Sequence, residues 1–405
     1  MRRGTGCRGA RPASHALTPR HAATAVFLGI VVGALADSPL AAQSEAEGVF
    51  ADSIVFGQSA AFTGPTSELG SNMRLGILAA FEEANRRGGV QGRVLRLRSR
   101  DDGYEPEAAS DNTHALIAEG VFGLVGAVGT PTSTAAEPIA SAAGVPYIGP
   151  FTGAEFLREN RDFVVNLRAS YFQETEEMVE RLTTDLGFTR FAVLYQDDNY
   201  GNAGLTGMRR ALGRRDMLLV AEGAYVRNTT AVKRALLDIR EGNPQAVIII
   251  GAYQPAATFI RWARRIGVNA IFVNISFVGS NALLNELGAA GEGVVVTQVV
   301  PFPQDTSVPV VARYHQALEV VDPDASPGFV SLEGYLAGLL IAEGLDRTGP
   351  EPTREGFLAT LREAGLIDLG GFAVEYGVRD NQGSDRVFLT RIQAGRFRAM
   401  ERLSR

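Results

Sequence analysis

Residues 122–134 read FGLVGAVGTPTST, and this stretch decides the fold class. Phe122–Val125 is a short apolar run of the kind that forms a buried strand. The residues after it are glycines, hydroxyls and one proline, and a helical pattern follows them. A strand, a loop of small residues and a helix form the repeating unit of α/β proteins. The stretch therefore predicts one such unit, with the loop Gly126–Thr134 at the carboxyl end of its strand.

The same unit recurs along the rest of the chain. Helices are predicted at Gly70–Arg87, where Met73, Ile77 and Ala84 share one face, and at Glu105–Glu119. Runs rich in valine and isoleucine separate the helical patterns, and such runs indicate parallel strands that helices cover on both faces. These predicted strands are Ser53–Gln58, Val94–Arg98, Phe191–Tyr195, Ala246–Gly251, Ala270–Ile275 and Gly293–Gln298. We expect an α/β fold with doubly wound sheets.

The length of the chain indicates two lobes. It has 405 residues, whereas single cores rarely grow beyond roughly 250–300 residues. We expect one sheet within Ser53–Ile148 and another within Phe191–Gln298, followed by helices near Val308–Val320 and Phe329–Arg347. Two lobes leave a cleft between them, and ligands of open parallel sheets bind outside the carboxyl ends of the strands. The loop Gly126–Thr134 lies at such an end.

Residues 1–42 have the pattern of a secretory signal peptide. Five arginines precede an uncharged run at Ala22–Ala36, and small residues follow it up to Ala42. A membrane anchor is the alternative, but the run is shorter than the ~20 apolar residues of a spanning helix. We expect export to the periplasm with cleavage near Ala42.

Cleavage near Ala42 would make the protein more acidic. The formal net charge changes from −6 to −10, because residues 1–42 hold five arginines and one acidic residue. An acidic, exported protein is a poor candidate for binding nucleic acid or an anionic membrane surface. Cys7, the only cysteine, lies in the removed part, so we expect no disulfide in the mature chain.

Sequence signals for catalysis are weak. The loop Gly126–Thr134 lacks the third glycine of a dinucleotide fingerprint and the lysine of a phosphate loop, and the chain has no G-x-S-x-G motif. His114 and His315 fall in helical patterns, and no cluster of ligating residues has metal spacing. Asp101 and Asp102 fit an acid/base pair or a loop and cap, and we favour the loop and cap. We predict a protein that is not an enzyme, with no catalytic residue, metal or cofactor.

The hydroxyls of the loop suggest binding. Thr130 and Thr132 are able to donate hydrogen bonds to an anion or a hydroxyl near a helix N-terminus, and Ser133 or Thr134 to cap that helix. The alternative is that these residues only form the cap and the turn. On the loop alone the two interpretations are equally good.

Five further segments point to a known family. They are AFTGPTSELG (61–70), NRRGGVQGR (85–93), RDDGYEP (100–106), AEPIASAAGVPYIGP (136–150) and YQDDNYG (195–201). With these segments in this order, the chain from about Ser53 to Phe397 resembles the periplasmic substrate-binding proteins of the leucine/isoleucine/valine type, which serve ABC importers. The resemblance implies two Rossmann-like lobes with parallel-rich sheets, joined by a hinge of three crossovers and closing over a ligand. It implies lobes of residues 52–168 plus 301–370 and of residues 169–300 plus 371–405, with the third crossover near Gly370–Phe372.

The resemblance also implies binding residues. In amino-acid-binding members the loop equivalent to Gly126–Thr134 holds the ligand's carboxylate, and Thr130 matches one of its hydroxyl positions. Phe151, Thr152 and Gly153 match the neighbouring loop, and aromatic positions of the second lobe correspond to Tyr200 and Tyr253. Some members join two loops with a disulfide, whose positions correspond here to Tyr104 and Gly129.

The chain departs from the family where acids hold the ligand's ammonium group. One such position falls near Tyr171 and Phe172, the other near Phe277 and Val278, and a family aromatic is replaced by Leu69. Glu174 or Glu176 is an alternative partner, but we expect both to face solvent. Burying an unpaired ammonium costs several kcal/mol. The sequence therefore predicts an apolar ligand with one polar end, or an ordinary branched-chain amino acid if the acids are displaced.

These observations predict a monomeric, periplasmic receptor that binds a small molecule and delivers it to the permease and ATPase complex of an ABC importer. A periplasmic sensor that signals the presence of its ligand is the second hypothesis, because related lobes serve as ligand-controlled regulators. The predicted binding residues are Leu69, Thr130, Thr132, Phe151, Thr152, Tyr171, Phe172, Tyr200, Tyr253 and Phe277.

Overall fold

A computed structural model describes residues 47–159 and 161–404, so the predicted signal peptide at residues 1–42 lies outside the described residues. The first sheet has five strands in the order β2-β1-β3-β4-β5, and all of them run parallel. The strands are β1 Ser53–Ala60, β2 Val94–Asp101, β3 Gly123–Val125, β4 Tyr147–Ile148 and β5 Val164–Val165; the helices between them are α1 Ser67–Arg86, α2 Pro106–Ala118 and α3 Thr130–Ala142.

The second sheet has seven strands in the order β14-β13-β10-β9-β8-β6-β7. Its strands β6 to β10 run parallel, and β13 and β14 add an antiparallel edge. The strands are β6 Phe191–Gln196, β7 Leu219–Tyr225, β8 Ala246–Ile250, β9 Ile271–Asn274, β10 Val295–Gln298, β13 Phe388–Gln393 and β14 Arg396–Met400; the helices are α4 Tyr171–Thr184, α5 Asn199–Gly213, α6 Lys233–Glu241, α7 Tyr253–Arg265 and α8 Ser280–Leu287.

The predicted α/β fold is confirmed, and the reason is visible in strand β8. All five of its residues are buried, because helices cover both faces of the sheet. A continuous run of isoleucine and valine suits this environment, whereas a strand with one wet face would alternate apolar and polar residues.

Three helices and a short hairpin follow the second sheet in the sequence. They are α9 Pro309–Val321, α10 Phe329–Thr348 and α11 Arg354–Glu363, and then β11 Leu366–Asp368 paired with β12 Ala373–Glu375. Helix α10 packs closely along α1, since a Cβ on Gly76 would lie 1.8 Å from the carbonyl oxygen of Ser331. A Cβ on Gly334 would lie 2.3 Å from the carbonyl oxygen of Met73. The two glycines thus allow the backbones of α1 and α10 to touch. The chain after β10 therefore returns to the helices of the first sheet.

The chain consequently passes three times between the two sheets. It leaves the first sheet after β5, returns after β10, and enters the second sheet again between β12 and β13. The first and third passages run side by side, because Asn166 N–H donates to the carbonyl oxygen of Asn381 and Gly383 N–H donates to that of Asn166, both at 2.8 Å.

The described residues show two further features that bear on function. None of their helices combines the length and the apolar composition of a membrane span. Within residues 47–159 and 161–404, no three side chains of His, Cys, Asp or Glu are grouped in a way that suits a metal ion.

Candidate functional site

The loops after β3 and β4 pair with each other at the carboxyl end of the first sheet. Phe151 N–H donates to the carbonyl oxygen of Ala127 at 2.7 Å, and Gly129 N–H donates to that of Phe151 at 3.2 Å. This pairing brings two hydroxyls together, since Thr130 Oγ1 and Thr152 Oγ1 lie 2.7 Å apart and both side chains are buried. Two residues from separate loops, both predicted from the sequence, therefore meet.

The other hydroxyls of the first loop serve the loop itself. Thr132 Oγ1 donates to the carbonyl oxygens of Val128 and Gly129, so it does not reach the Thr130–Thr152 pair. Helix α3 begins at Thr130 and has no side-chain cap, so the predicted capping by Ser133 or Thr134 is wrong. Ser133 Oγ instead accepts a hydrogen bond from Tyr147, and Thr134 Oγ1 donates to the carbonyl oxygen of Thr130. The helix begins too early for either residue to precede it.

Five buried rings lie next to the hydroxyl pair. The ring of Phe277, in the turn after β9, lies 4.5 Å from that of Tyr200, 5.4 Å from that of Phe151 and 6.0 Å from that of Tyr104. The rings of Tyr171 and Tyr200 are 5.5 Å apart, and Thr152 Oγ1 donates to Tyr171 Oη at 3.2 Å. We call these rings the aromatic cluster; its members are Tyr104, Phe151, Tyr171, Tyr200 and Phe277.

The aromatic cluster joins the two sheets and is electrically neutral. Tyr104 and Phe151 follow strands of the first sheet, whereas Tyr200 and Phe277 follow strands of the second. Burial raises the pKa of Tyr104, Tyr171 and Tyr200, which keeps the three phenols protonated. The hydroxyl of Tyr200 is buried and has no hydrogen-bond partner among the described residues. It is available to a ligand.

Three predicted residues with large apolar or aromatic side chains lie outside the aromatic cluster. Leu69 and Tyr253 meet at Gly279, because a Cβ on this glycine would lie 2.3 Å from Leu69 Cδ2 and 3.8 Å from Tyr253 Cδ1. Phe172 follows Tyr171 in the sequence but points elsewhere, and its ring lies 4.3 Å below the guanidinium of Arg210. The predicted binding residues therefore form one central group and two separate places.

A buried group of charges beside the aromatic cluster was not predicted from the sequence. Arg168 Nη2 lies 3.0 Å from Glu174 Oε1, and Arg168 Nη1 lies 3.5 Å from Glu333 Oε1. The three side chains are 0%, 0% and 4% exposed, and we call them the charge cluster. The guanidinium of Arg168 also lies 5.2 Å from the centre of the Phe151 ring, so the two clusters touch.

The expectation that Glu174 faces solvent is wrong. Its carboxylate accepts hydrogen bonds from Arg168, from the backbone and hydroxyl of Ser276 at 2.9 Å each, and from the hydroxyl of Thr297. The helical period contained the signal, because Tyr171, Glu174, Met178 and Leu182 follow one another on the buried face of α4. Glu176 lies off this face and pairs with Arg214 and Arg215 at the surface.

Burial determines the ionisation of the charge cluster. It raises the pKa of Glu333 to about 7, and the positive charge of Arg168 only partly opposes this. Burial also lowers the pKa of Arg168, but the charges of Glu333 and Glu174 outweigh it and the net shift is upward. Arg168 therefore stays charged while Glu333 titrates near neutral pH.

Asp101 and Asp102 hold the loop after β2 together. Asp101 accepts hydrogen bonds from the backbone of Phe62, Thr63 and Gly103, and Asp102 accepts them from Ser59 Oγ and Tyr104 N–H at 2.8 Å each. Burial raises the pKa of Asp102 to about 6. These contacts fit the favoured structural role of the pair.

Tyr104 and Gly129, the positions that the family resemblance pairs, are in contact. Gly129 has a φ of 102°, and a Cβ placed on it would lie 2.1 Å from Tyr104 Cε2. The tyrosine ring thus occupies the space beside the bare backbone, and its hydroxyl accepts a hydrogen bond from Gln196 Nε2 at 3.2 Å. Tyr104 reaches from the first sheet to the second.

A second contact between the two sheets lies at the surface. Arg227 Nη2 is 2.6 Å from Glu105 Oε2, and Asn228 Nδ2 donates to Glu105 Oε1 at 2.8 Å. The side chains of Arg227 and Glu105 are 22% and 47% exposed. We call Glu105, Arg227 and Asn228 the rim contacts.

Comparison with known proteins gives a consistent result. The sequence profile of a family described as periplasmic binding protein matches residues 53–396. A leucine-, isoleucine-, valine-, threonine- and alanine-binding protein of Pseudomonas aeruginosa is 25% identical over 325 residues, which are 79% of this chain and 86% of that protein.

Two solved structures extend the comparison. The structure of a possible leucine/isoleucine/valine-binding protein from Rhodopirellula baltica is 38% identical, with a TM-score of 0.84 and coverage of 89% of this chain and 100% of that chain. A substrate-binding periplasmic protein from Ralstonia solanacearum is 31% identical, with a TM-score of 0.79 and coverage of 83% and 97%.

Proposed function

Because this chain belongs to the periplasmic binding protein family, we propose that it is a periplasmic receptor that binds a small molecule and delivers it to an ABC importer. In this proposal the two sheets and their helices form two lobes, of residues 52–168 plus 301–370 and of residues 169–300 plus 371–405, and the ligand lies between them. The signal peptide at residues 1–42 directs the protein to the periplasm.

The aromatic cluster is the observation that carries the proposal. Phe277 comes from the second sheet and packs between rings of the first sheet, next to the Thr130–Thr152 hydroxyl pair. A ligand at this place touches both lobes, so it stabilises the closed arrangement over the open one. Rings on two sides and a few hydroxyls also match the usual lining of a small-molecule site.

The contacts of Glu174 indicate what kind of ligand fits. An amino acid needs an acidic partner for its ammonium group, and the candidate is Glu174, a buried carboxylate three residues after the aromatic cluster's Tyr171 on α4. Both of its oxygens already accept two hydrogen bonds each. We therefore propose an apolar carboxylate, whose polar end binds Thr130 and Thr152. The names of the relatives favour an ordinary branched-chain amino acid instead, and it is the competing ligand.

Calorimetry with leucine and with its deaminated keto acid separates these two ligands. We expect the keto acid to bind more tightly, because it retains the carboxylate and the apolar body without an ammonium group. Thr130→Ala should weaken its binding by roughly 1.5–3 kcal/mol, the usual loss for a hydrogen bond to a charged group.

Thr183→Ala is the matched control for this experiment, since the Thr183 hydroxyl donates within α4 to the carbonyl oxygen of Val179. It should leave the affinity unchanged. Tight binding of leucine by the unmodified protein, without any response to the keto acid, would show that the pocket holds an ammonium group and would refute the proposed ligand.

A further inference from the structure

A groove of about 510 Å³ adjoins the aromatic cluster at Thr130. Its walls come from both sheets: Phe156 follows β4, whereas Phe172 and Ala203 lie on α4 and α5. This volume falls within the range of pockets that hold small molecules. The groove is thus large enough for a substantial part of a ligand.

Thr130 connects the groove to the aromatic cluster. The hydroxyl of Thr130 lies 2.7 Å from that of Thr152, which is hydrogen-bonded to Tyr171 of the cluster. Thr130 also lines the groove. Tyr171 and Phe172 repeat this arrangement on α4, because Tyr171 belongs to the cluster and Phe172 to the groove wall. A molecule in the groove is therefore able to reach the edge of the aromatic cluster with its polar end at Thr130.

The lining of the groove is mainly apolar, and its charged and amide side chains are Glu155, Arg161, Asn199 and Asn202. Phe156 and Phe172 provide apolar walls, and Ala203 leaves room between the rings and α5. The positive charges at its edge are already engaged: Arg161 Nη1 lies 3.1 Å from the buried carboxylate of Glu137, and Arg210 covers the outer face of the Phe172 ring. A second charged end on the ligand would displace these contacts, whereas an alkyl chain or a ring would not.

We propose that the groove is a second compartment of the ligand site and takes the aliphatic tail of an elongated carboxylate, longer than the side chain of a branched-chain amino acid. This inference rests on the proposed function, because it places the carboxylate at Thr130 and Thr152. It assigns Phe156, Phe172 and Ala203 to the selection of ligand length.

Titration calorimetry with two series of compounds tests this inference. One series is butanoate, hexanoate and octanoate, and the other consists of the α-amino acids with the same three chains. We expect affinity in the carboxylate series to rise about fourfold for each methylene that enters the groove. Ala203→Phe fills the groove and should abolish this rise with chain length; Arg209→Phe, which adds a ring at an exposed position of α5 that does not line the groove, is the matched control and should retain the rise.

The two series separate failure of the inference from failure of the proposed function. If affinity is independent of chain length, or if Ala203→Phe weakens the binding of all lengths equally, the groove does not bind the tail. The proposal that the ligand is a carboxylate then still stands. If only the amino-acid series binds, with the same length dependence, the ligand carries an ammonium group and the proposed ligand class is wrong. The role of the groove in binding the tail is then supported. The absence of binding in both series at every length overturns both.

Discussion

Two regions connect the first and second sheets with the same kind of ion pair, and their surroundings differ. In the charge cluster Arg168 and Glu174 are 3.0 Å apart and fully buried, whereas at the rim Arg227 and Glu105 are 2.6 Å apart and 22% and 47% exposed. The shorter pair is the weaker one, because water and salt screen an exposed pair and hydrate its charges when they separate. When a buried pair is broken, no water is available to hydrate the two charges.

For the proposed receptor, this difference predicts which contact breaks when the two lobes open. The rim contacts can separate at little cost, since both ends regain water. The charge cluster lies beside the hydrogen-bonded first and third passages between the sheets, and Arg168 itself belongs to the first passage. We therefore expect the charge cluster to stay intact as a fixed base while the rim contacts break and form again with each ligand.

The largest expected effect concerns Arg168. Arg168→Met leaves Glu174 and Glu333 buried without their cation, and we expect the free energy of unfolding to fall by about 3–5 kcal/mol. Urea denaturation measures this loss. Arg209→Met is the matched control, because Arg209 pairs with Glu222 at the surface and its removal should cost less than ~1 kcal/mol. Equal losses in the two variants would remove the distinction between the buried and the exposed pairs.

A smaller effect concerns the pH dependence of stability. Burial raises the pKa of Glu333 from 4.5 to about 7, so the folded protein holds a proton that the unfolded chain releases. The free energy of unfolding should therefore fall as the pH rises from about 4.5 to 7. Glu333→Gln should flatten the curve within this window. The charged groups that act on Glu333 are Arg168, Glu174 and Arg158, and all three remain in the variant.

Asp102 also lowers the free energy of unfolding as the pH rises, because its pKa in the folded protein is raised to about 6. The informative quantity is therefore the difference between the curves of the unmodified protein and Glu333→Gln, measured by urea denaturation at several pH values. Parallel curves would mean that Glu333 is ionised throughout this range.

The smallest effect is expected at the rim. Glu105→Gln removes the charge that pairs with Arg227, and the free energy of unfolding should fall by less than ~1 kcal/mol. The loss should disappear in 1 M salt, where the Debye length is only about 3 Å. Glu107→Gln, at an exposed position in the first turn of α2, which directly follows the N-cap Glu105, controls for the charge at the helix N-terminus. A loss of stability that persists in high salt would mean that the rim contacts, like the charge cluster, are not screened by salt.

The sequence alone predicted the parts of the molecule that depend on local pattern. Valine and isoleucine in four consecutive buried positions of β8, Val247–Ile250, made the parallel strand recognisable, and the loop after β3 was placed at the correct end of its strand. The family resemblance placed Thr130 and Thr152 in neighbouring loops, and their hydroxyls lie 2.7 Å apart.

The charge cluster was harder to predict, for two separate reasons. Glu174 was assigned to solvent together with Glu176 from their helical spacing, although its spacing from Tyr171 and Met178 places it on the buried face of α4. Its burial was thus detectable from the helical period. The pairing of Glu333 was not detectable in this way, because its partner Arg168 lies 165 positions away in the sequence and the two meet only through the tertiary packing of the chain.

The contact between Tyr104 and Gly129 restricts how this protein is able to evolve. A mutation that adds a side chain at position 129 places it 2.1 Å from the tyrosine ring, on a backbone with a φ of 102° that such residues rarely adopt. A mutation that shortens Tyr104 leaves a hole and removes the hydrogen bond from Gln196. We expect each single step to destabilise the fold, so the two positions should tend to change together. Replacement of Tyr104 and Gly129 by another pair, for example two cysteines, therefore passes through a single variant that we expect to be less stable.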